Sequence, residues 1–426
     1  MGKKNKAVIG YDLNNEYAQI SYLFLEETEP ETLATIAGTQ SYNIPAVLCK
    51  RKEVSQWFYG REALKTAEEG NGILVEGLLD KALSQEEVTV GAETFSTAAM
   101  LALFIKRSLS MLTMMVPSEQ IAAFMITVDN LDRQMIQMLT QAVSALALKP
   151  EQIYFQSHME SFYHYVVHQQ AELWTHQVGL CDFSGGMMKT YRMECNRKTV
   201  PTVAFIEEKK YPHMVRETSG RAPADESRFA WLDTQFTEVV RELIEGRILS
   251  TIFLIGEGFG GGWNKESLKL ACRNRRVFQG NNLYSKGACY GAREKLQESG
   301  IEKQYVFLGN EKLKANIGMR AIRRGEDSYF ALLDAGYNWF ELGKECEFIL
   351  ESGNSFELLV TPLTGGNPKS VEVVLDGLPQ RERGTTRLSM VLKPVSVSRI
   401  WVEIEDMGFG EIVPATNQKW QEEFEV

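Results

Sequence analysis

Two stretches of the chain alternate apolar and polar residues around a short turn, and in each the turn follows an aspartate. In residues 178–195 an apolar run ends in Asp182, and the turn FSGG leads into a second alternating segment. Residues 7–25 repeat this order, with Asp12 followed by the turn LNNE. Period-two alternation interrupted by turn-forming residues predicts an antiparallel hairpin. Two related hairpins predict a duplicated architecture with a ligand held between its halves.

The remainder of the first 310 residues predicts a layered α/β structure. Residues 121–128 form a continuous apolar run, which is typical of a buried parallel strand. Residues 196–226 are polar and are predicted to be irregular. Further strands are predicted over residues 44–48, 152–155 and 251–255. Helices are predicted, from apolar residues at helical spacing, over residues 61–68, 96–112, 130–148, 159–173, 229–248, 264–271 and 287–296.

From about residue 311 the pattern changes to short alternating segments separated by Gly, Asn and Pro residues. This spacing is typical of a β-sandwich. The predicted domains are residues 1–310, with a first lobe over about 1–177 and a second over about 178–310, and a β-sandwich over residues 311–426.

Composition narrows the function classes. The net charge of −10 disfavours a general nucleic-acid surface or an anionic-membrane anchor. Neither a signal-length apolar segment at the N-terminus nor a run of about 20 apolar residues is present. Six scattered cysteines without a CxxC pair favour a reducing compartment. We therefore predict a cytoplasmic protein that binds neither nucleic acid nor membrane.

The two hairpins carry the candidate chemistry. A carboxylate at a strand end beside a glycine-rich turn is placed to hold a metal-bound water, and the turn can bring backbone N–H groups close to a phosphate. The alternative is that Asp12 and Asp182 are ordinary turn carboxylates. Three histidines (His158, His164 and His168) lie close together; a metal pair is conceivable there, but a packed or solvated helix face is the simpler interpretation.

The order of the motifs resembles the superfamily of actin, the sugar kinases and the heat-shock chaperone ATPases, and it is most similar to the DnaK-type heat-shock chaperones. The resemblance covers nearly the whole chain and implies an actin-like two-lobed ATPase fold, built from duplicated ribonuclease-H-like lobes, followed by a lidless peptide-binding β-sandwich. The motifs that carry it are, in chain order, IGYDLNNEY, IPAVL, FYGREAL, ITVDNLDRQMIQMLTQAVSALAL, CDFSGGMMKTYRM, FLIGEGFGGGW and GACYGA.

The same resemblance implies a site for ATP or ADP with Mg²⁺. Asp12 and Asp182 would hold Mg²⁺ through water, and Glu160 would orient water or metal as the third catalytic residue. Phosphoryl transfer to water needs such positioning and charge neutralisation. The phosphates would lie against the backbone of Leu13, Asn14, Asn15, Ser184, Gly185 and Gly186. The nucleoside would be admitted by Gly256, Gly258 and Gly260.

Departures from the family pattern lie in the same motifs. Asn14 and Ser184 stand where the chaperones have glycines, and Lys189 stands near a position where they have a second carboxylate. The catalytic lysine has no clear counterpart, and Lys81 is the nearest. These departures predict weak or absent ATP hydrolysis.

Three hypotheses about function follow. The first is a chaperone-like ATP-binding protein, with weak or no hydrolysis, whose β-sandwich binds a peptide or protein partner. The second is a pseudo-ATPase that serves as an assembly scaffold. The third is an actin-like filament-forming protein.

Overall fold

The computed structural model describes residues 5–52, 56–216, 226–297, 300, 304–363 and 367–426. The chain divides into unit 1, Met1–Phe307, and unit 2, Leu308–Val426. Unit 1 is mixed α/β and unit 2 consists mainly of strands. Among the described residues no helix is both long enough and apolar enough to cross a membrane.

Unit 1 contains seventeen described strands and eight α-helices. The strands are β1 (Ala7–Leu13), β2 (Tyr17–Phe24), β3 (Glu31–Thr32), β4 (Ile44–Pro45), β5 (Leu48–Arg51), β6 (Trp57–Tyr59), β7 (Gly72–Val75), β8 (Glu87–Val90), β9 (Glu93–Ser96), β10 (Ile121–Val128), β11 (Ile153–Ser157), β12 (Gln177–Asp182), β13 (Met187–Asn196), β14 (Thr202–Val215), β15 (Leu249–Ile255), β16 (Arg276–Gly280) and β17 (Tyr305–Phe307). The helices are α1 (Gly60–Glu68), α2 (Leu78–Leu83), α3 (Thr97–Ser110), α4 (Arg133–Val143), α5 (His158–Val167), α6 (Glu226–Ile244), α7 (Lys265–Ala271) and α8 (Leu283–Glu294).

Both predicted hairpins are confirmed, and each begins a six-stranded sheet. In the first sheet β1 pairs antiparallel with β2 and parallel with β10, giving the order β11-β10-β1-β2-β3, with β4 also on β2. In the second sheet β12 pairs antiparallel with β13 and parallel with β15, giving the order β16-β15-β12-β13-β14-β17. When the five strands β11-β10-β1-β2-β3 and the five strands β16-β15-β12-β13-β14 are each numbered along the chain, both sets have the same order across the sheet: fifth, fourth, first, second, third.

Helices cover these sheets where the strands are apolar. All seven residues of β1 are buried, as expected for a central strand with both faces covered. One core of the second sheet lies under α6 and α7, and another includes residues of α5 and β17. The smaller β6-β5-β7 sheet and the β8–β9 hairpin complete unit 1.

Helix α8 crosses β1 and α5 at glycines. A Cβ added at Gly10 of β1 would lie 2.7 Å from the backbone nitrogen of Cys289. A Cβ added at Gly287 of α8 would overlap the carbonyl oxygen of Ser161 in α5. Since real Cβ atoms do not approach backbone this closely, the absence of side chains at these two positions sets the distance between α8 and its neighbours.

Unit 2 is built from two four-stranded antiparallel sheets that share one hydrophobic core. One sheet has the order β19-β18-β21-β22 and the other the order β20-β23-β24-β25. The strands are, in chain order, β18 (Ala315–Arg323), β19 (Glu326–Leu333), β20 (Lys344–Leu350), β21 (Ser355–Pro362), β22 (Lys369–Val374), β23 (Thr386–Ser396), β24 (Arg399–Asp406) and β25 (Lys419–Glu425).

A buried ion pair ties a loop of unit 2 to the end of β24. Both carboxylate oxygens of Asp406, which is fully buried, accept hydrogen bonds of 2.7 Å from Arg381. Asp406 also accepts from the backbone nitrogens of Gly408 and Thr416 and from the Thr416 hydroxyl. The bonds from Arg381 and Thr416 outweigh burial and hold the pKa of Asp406 far below its usual value.

Several boundaries differ from those predicted. The prediction of irregular structure over residues 196–226 is wrong for residues 202–215, which form β14; residues 217–225 lie outside the described part of the chain. Helix α4 begins at Arg133 rather than at residue 130, because the Asp132 carboxylate accepts a bond from the Met135 nitrogen and caps the helix there. Strand β25 was not predicted.

Candidate functional site

A cleft of about 440 Å³ lies between the turns of the two hairpins. The first turn contributes Leu13 to Glu16, and the second contributes Ser184 to Met187. The other described lining residues are Leu79, Asp80, Leu83, Asp129, Asn130, Asp132, Met135, His158, Asp182 and Lys189. The two hairpins predicted from sequence therefore face one shared space in unit 1.

The turn of the first hairpin is held by its own asparagines. The side-chain oxygen of Asn14 accepts hydrogen bonds of 2.8 Å from the backbone nitrogens of Glu16 and Tyr17. The side-chain oxygen of Asn15 accepts a 3.0 Å bond from the nitrogen of Asp80, which ties the turn to α2. Asparagine commonly stabilises turns in this way.

Asp12, at the end of β1, is bonded to a histidine. It is 2% exposed, and its Oδ1 lies 2.8 Å from Nε2 of His158, the first residue of α5. His158 lines the cleft, whereas Asp12 lies behind it. Burial alone lowers the pKa of His158, but its contact with Asp12 and the charges of Asp129 and Asp182 outweigh burial and raise that pKa.

Asp182, at the end of β12, is bonded through both of its oxygens. Its Oδ1 accepts from the backbone nitrogen of Ser184, at 2.8 Å, and from the Ser184 hydroxyl. Its Oδ2 accepts a 2.7 Å bond from the hydroxyl of Tyr284 in α8. Burial, together with the charge of Asp182, raises the pKa of Tyr284, so the phenol keeps the proton that it donates.

Two ion pairs connect the halves of unit 1 across the cleft. Lys189 of β13 pairs with Asp129, which follows β10. Arg216 pairs with Glu16 of the first turn, and its second guanidinium nitrogen lies 3.2 Å from Glu257. Burial raises the pKa of Asp129, but His158 and Lys189 outweigh burial and lower it, so Asp129 stays charged at neutral pH. These contacts join the two hairpins through the protein's own side chains.

The predicted Mg²⁺ ligands are hydrogen-bonded to the protein's own side chains, and the cleft is rich in carboxylates. The bonds from His158, Ser184 and Tyr284 already engage the carboxylates predicted to hold the hydrated ion. Within the described ranges, no three His, Cys, Asp or Glu side chains form a group that could hold a metal ion. The cleft also presents five carboxylates against Lys189 and His158, a balance that repels a polyphosphate. The carboxylates are Glu16, Asp80, Asp129, Asp132 and Asp182.

Two other predicted positions lie away from the cleft lining. Glu160 is 4% exposed within α5, and its Oε1 lies 3.8 Å from Nε2 of His164. Lys81 lies on α2, which instead presents Leu79, Asp80 and Leu83 to the cleft. The residue of α5 that reaches the cleft is His158.

The glycines predicted to bind the nucleotide, three after β15 and two in the turn of the second hairpin, fall into two groups. A Cβ at Gly256, whose φ is 102°, would overlap the backbone of Ser184, and a Cβ at Gly258 would overlap the ring of Phe183. Close packing against the second hairpin therefore accounts for glycine at both positions. Gly260, Gly185 and Gly186 have open space around the position of a Cβ, and of these three Gly185 and Gly186 line the cleft.

Sequence reasoning missed His158 and Tyr284, although topology offered a signal for the first of them. Asp12 ends β1, Asp129 follows β10 and His158 follows β11, and these three strands are parallel neighbours. Residues that follow parallel strands meet at one edge of a sheet. Tyr284 gave no comparable signal, since it lies inside α8, 102 positions from Asp182.

Comparison with known proteins finds two matches to family models. Residues 29–310 match the description "Family of unknown function (DUF5716) C-terminal". Residues 312–426 match the description "Domain of unknown function (DUF8552)". No curated protein matches the chain.

Proposed function

The chain belongs to the family described as DUF5716, C-terminal, and from the geometry of its cleft we propose that it is a pseudo-ATPase that serves as an assembly scaffold. In this proposal unit 1 has an actin-like two-lobed fold whose hairpins are held together without Mg²⁺ and without ATP hydrolysis. Unit 2 binds a peptide or protein partner. The six cysteines are free thiols, and the location that we propose is the cytoplasm.

The duplicated sheets support the two-lobed part of the proposal. Each sheet begins with an aspartate-ended strand and a hairpin, and each continues with two parallel strands in the same relative order. Coincidence is a weak explanation for a repeat of both the order and the position of the aspartate. The resemblance to DnaK-type chaperones supplies the ancestry that we propose, in which the cleft once held a nucleotide.

One observation carries the functional part: both candidate metal carboxylates are satisfied by other residues of the chain. His158 bonds Asp12, while Ser184 and Tyr284 bond Asp182. Binding a hydrated ion would require these hydrogen bonds to break in a buried site, where an unmade bond to a charged group is expensive. The pairs formed by Arg216 and Lys189 add a fixed connection between the hairpins.

The strands at the sheet edges of unit 2 support a role in partner binding. An extended peptide can add to such an edge through backbone hydrogen bonds, with its side chains giving specificity. The edge strands are β19, β22, β20 and β25. The loop after β24 also exposes an apolar residue, Ile412, at 92%.

A chaperone-like ATP-binding protein is the second candidate, and one feature favours it. Gly185 and Gly186 line the cleft and have open space around them, as a phosphate-binding turn requires.

Thermal unfolding of the full chain with millimolar MgATP or MgADP separates the two candidates. We expect neither nucleotide to raise the midpoint and no phosphate to be released, because the carboxylates of Asp12 and Asp182 are already hydrogen-bonded within the chain. Binding to the native state would stabilise the protein by mass action. A Mg²⁺-dependent rise of the midpoint that Asp182→Asn removes would establish the ATP-binding protein instead. In a separate sedimentation experiment, pelleting of the protein in the presence of ATP would favour the filament hypothesis.

A further inference from the structure

The loop between β24 and β25 is a compact hairpin whose two arms are bonded together. At its base the buried carboxylate of Asp406 accepts hydrogen bonds from the backbone nitrogens of Gly408 and Thr416, one on each arm. Nearer the tip, the backbone nitrogen of Phe409 donates a 2.6 Å bond to the carbonyl oxygen of Val413. The tip of this loop therefore has a fixed shape.

The tip presents apolar side chains to water. Ile412 is 92% exposed and Phe409 is 43% exposed. Isoleucine is β-branched and has few rotamers to lose, and the backbone that carries it is already ordered by the bonds across the loop. A side chain held in this way can enter a pocket on another molecule at a low cost in conformational entropy.

Unit 1 contains a pocket that suits such a side chain. This aromatic pocket has a volume of about 260 Å³ and is lined by the last three residues of β15 and of β16, the end of α5 and the first residue of α8. On its aromatic side the ring of Phe253 contacts Tyr165 edge-on and stacks on Phe278. Leu173 and Leu283 add aliphatic surface, and none of the described lining residues is charged. The aromatic pocket therefore fits an uncharged, aliphatic group.

A positively charged side chain lies beside the aromatic pocket. Asn281 lines both this pocket and a neighbouring recess that contains Arg61. Arg61 donates a 2.6 Å bond to the hydroxyl of Ser41, and within the described ranges it forms no ion pair. The carboxylate of Glu257 in the same recess is already paired with Arg216. Arg61 is thus free to pair with a carboxylate from outside.

We propose that copies of this chain associate head to tail, with Ile412 of one copy in the aromatic pocket of the next and Glu411 paired with Arg61 beside it. The contact rests on the partner-binding role proposed for unit 2, and it makes that partner a second copy of this chain. Glu411 precedes Ile412 and is exposed, and it has no ion-pair partner in the described part of the chain. An apolar side chain beside a carboxylate therefore meets an apolar pocket beside a guanidinium.

Such a contact joins two different surfaces, so each added copy leaves one loop and one pocket available to the next. An exposed aliphatic side chain and a pocket lined by Phe and Leu on the same molecule are sufficient for this kind of open assembly. The contact is small, and we expect association at concentrations on the order of 100 µM.

Sedimentation velocity of the nucleotide-free full chain between about 10 and 500 µM tests the proposal. Wild type should sediment as a monomer at the lowest concentration and as dimers and larger species at the highest. Ile412→Asp and Phe278→Glu should each remain monomeric throughout. Ile349→Asp is the matched control, because it changes another exposed isoleucine of unit 2, opposite Arg387, and it should associate like wild type.

Mixing the two monomeric variants shows whether the loop and the pocket are the two halves of one contact. Ile412→Asp keeps the pocket and Phe278→Glu keeps the loop, so an equimolar mixture should form dimers and nothing larger. That result would also show that both variants are folded. Glu411→Arg should weaken association about tenfold, and the charge-exchanged variant Glu411→Arg/Arg61→Glu should recover most of that loss.

The outcomes separate this contact from the function on which it rests. A wild type that stays monomeric or stops at the dimer, or a mixture that stays monomeric, would overturn the head-to-tail contact and leave the pseudo-ATPase scaffold standing with another partner. Association that appears only with MgATP would support the filament hypothesis and overturn both. Association without nucleotide, together with a Mg²⁺-dependent thermal shift on adding ATP, would refute the pseudo-ATPase and leave the contact established.

Discussion

Gly287→Ala is expected to destabilise unit 1 by about 3 kcal/mol, although alanine normally stabilises a helix interior by about 1 kcal/mol relative to glycine. The reversal follows from the α5–α8 crossing, where the new Cβ would overlap the Ser161 carbonyl. Ser161 cannot move aside easily, because its hydroxyl is bonded to Thr127 at 2.6 Å and to Gln156 at 2.7 Å. Hydrogen exchange of residues 158–167 and 283–294 in the full chain should accelerate.

Gly280→Ala is the matched control for this substitution. An added Cβ at Gly280 has no described neighbour within 4 Å, so the exchange pattern should stay close to that of wild type. If Gly287→Ala proved as stable as Gly280→Ala, α8 and α5 would not be in the close contact described above.

Arg381→Ala is expected to destabilise unit 2 by about 3 kcal/mol, because it leaves the Asp406 carboxylate buried without its cation. The bonds from Thr416 and Gly408 remain and keep the loss from being larger. Faster hydrogen exchange in β23 and β24 of the full chain would report the change. Arg383, two positions from Arg381, forms an exposed ion pair with Glu351 and provides the control. Arg383→Ala should change the stability of unit 2 by less than about 0.5 kcal/mol.

The ion pair between Arg381 and Asp406 also determines how the stability of unit 2 changes with acid pH. The pKa of Asp406 is lowered in the folded protein, so the stabilisation is complete above the unfolded value of about 3.9 and is lost as the pH falls below it. In Arg381→Ala the folded pKa is closer to the unfolded one, and less stability should remain to be lost in acid. An unchanged acid profile in that variant would mean that Arg381 is not what lowers the pKa.

The strands of both hairpins could be predicted because their alternation is local. β14 could not, because its residues 205–215 include four charged residues, Glu207, Glu208, Lys209 and Lys210. In the described part of the chain β17 pairs only with residues 202–204, so these charged residues lie where β14 has β13 as its partner on one side alone. Its pairing with β13 supplies the backbone bonds that composition alone does not reveal. β25 was hidden in the same way, since three of the seven residues of KWQEEFE are glutamates and the strand is paired with β24.

The candidate site was less predictable than the strands that form it. Asp12 and Asp182 could be identified from their position near strand ends, but His158 and Tyr284, which are hydrogen-bonded to them, lie 146 and 102 residues away in the chain. A motif comparison assigns roles to positions such as Glu160 without seeing which residue of a helix turns toward the cleft. Helix α5 is oriented so that His158 lines the cleft, whereas Glu160 is buried beside His164.

The ion pairs of Lys189 with Asp129 and of Arg216 with Glu16 have a consequence for timing in the cell. A pair of hairpins held together by Mg²⁺ and ATP responds to the ratio of ATP to ADP in the cell and can open at each round of nucleotide exchange. A pair of hairpins held together by positively charged side chains of the same chain is fully formed once synthesis and folding have ended. On the proposed function, the abundance and location of this protein, rather than the nucleotide pool, would therefore decide when its partners are brought together.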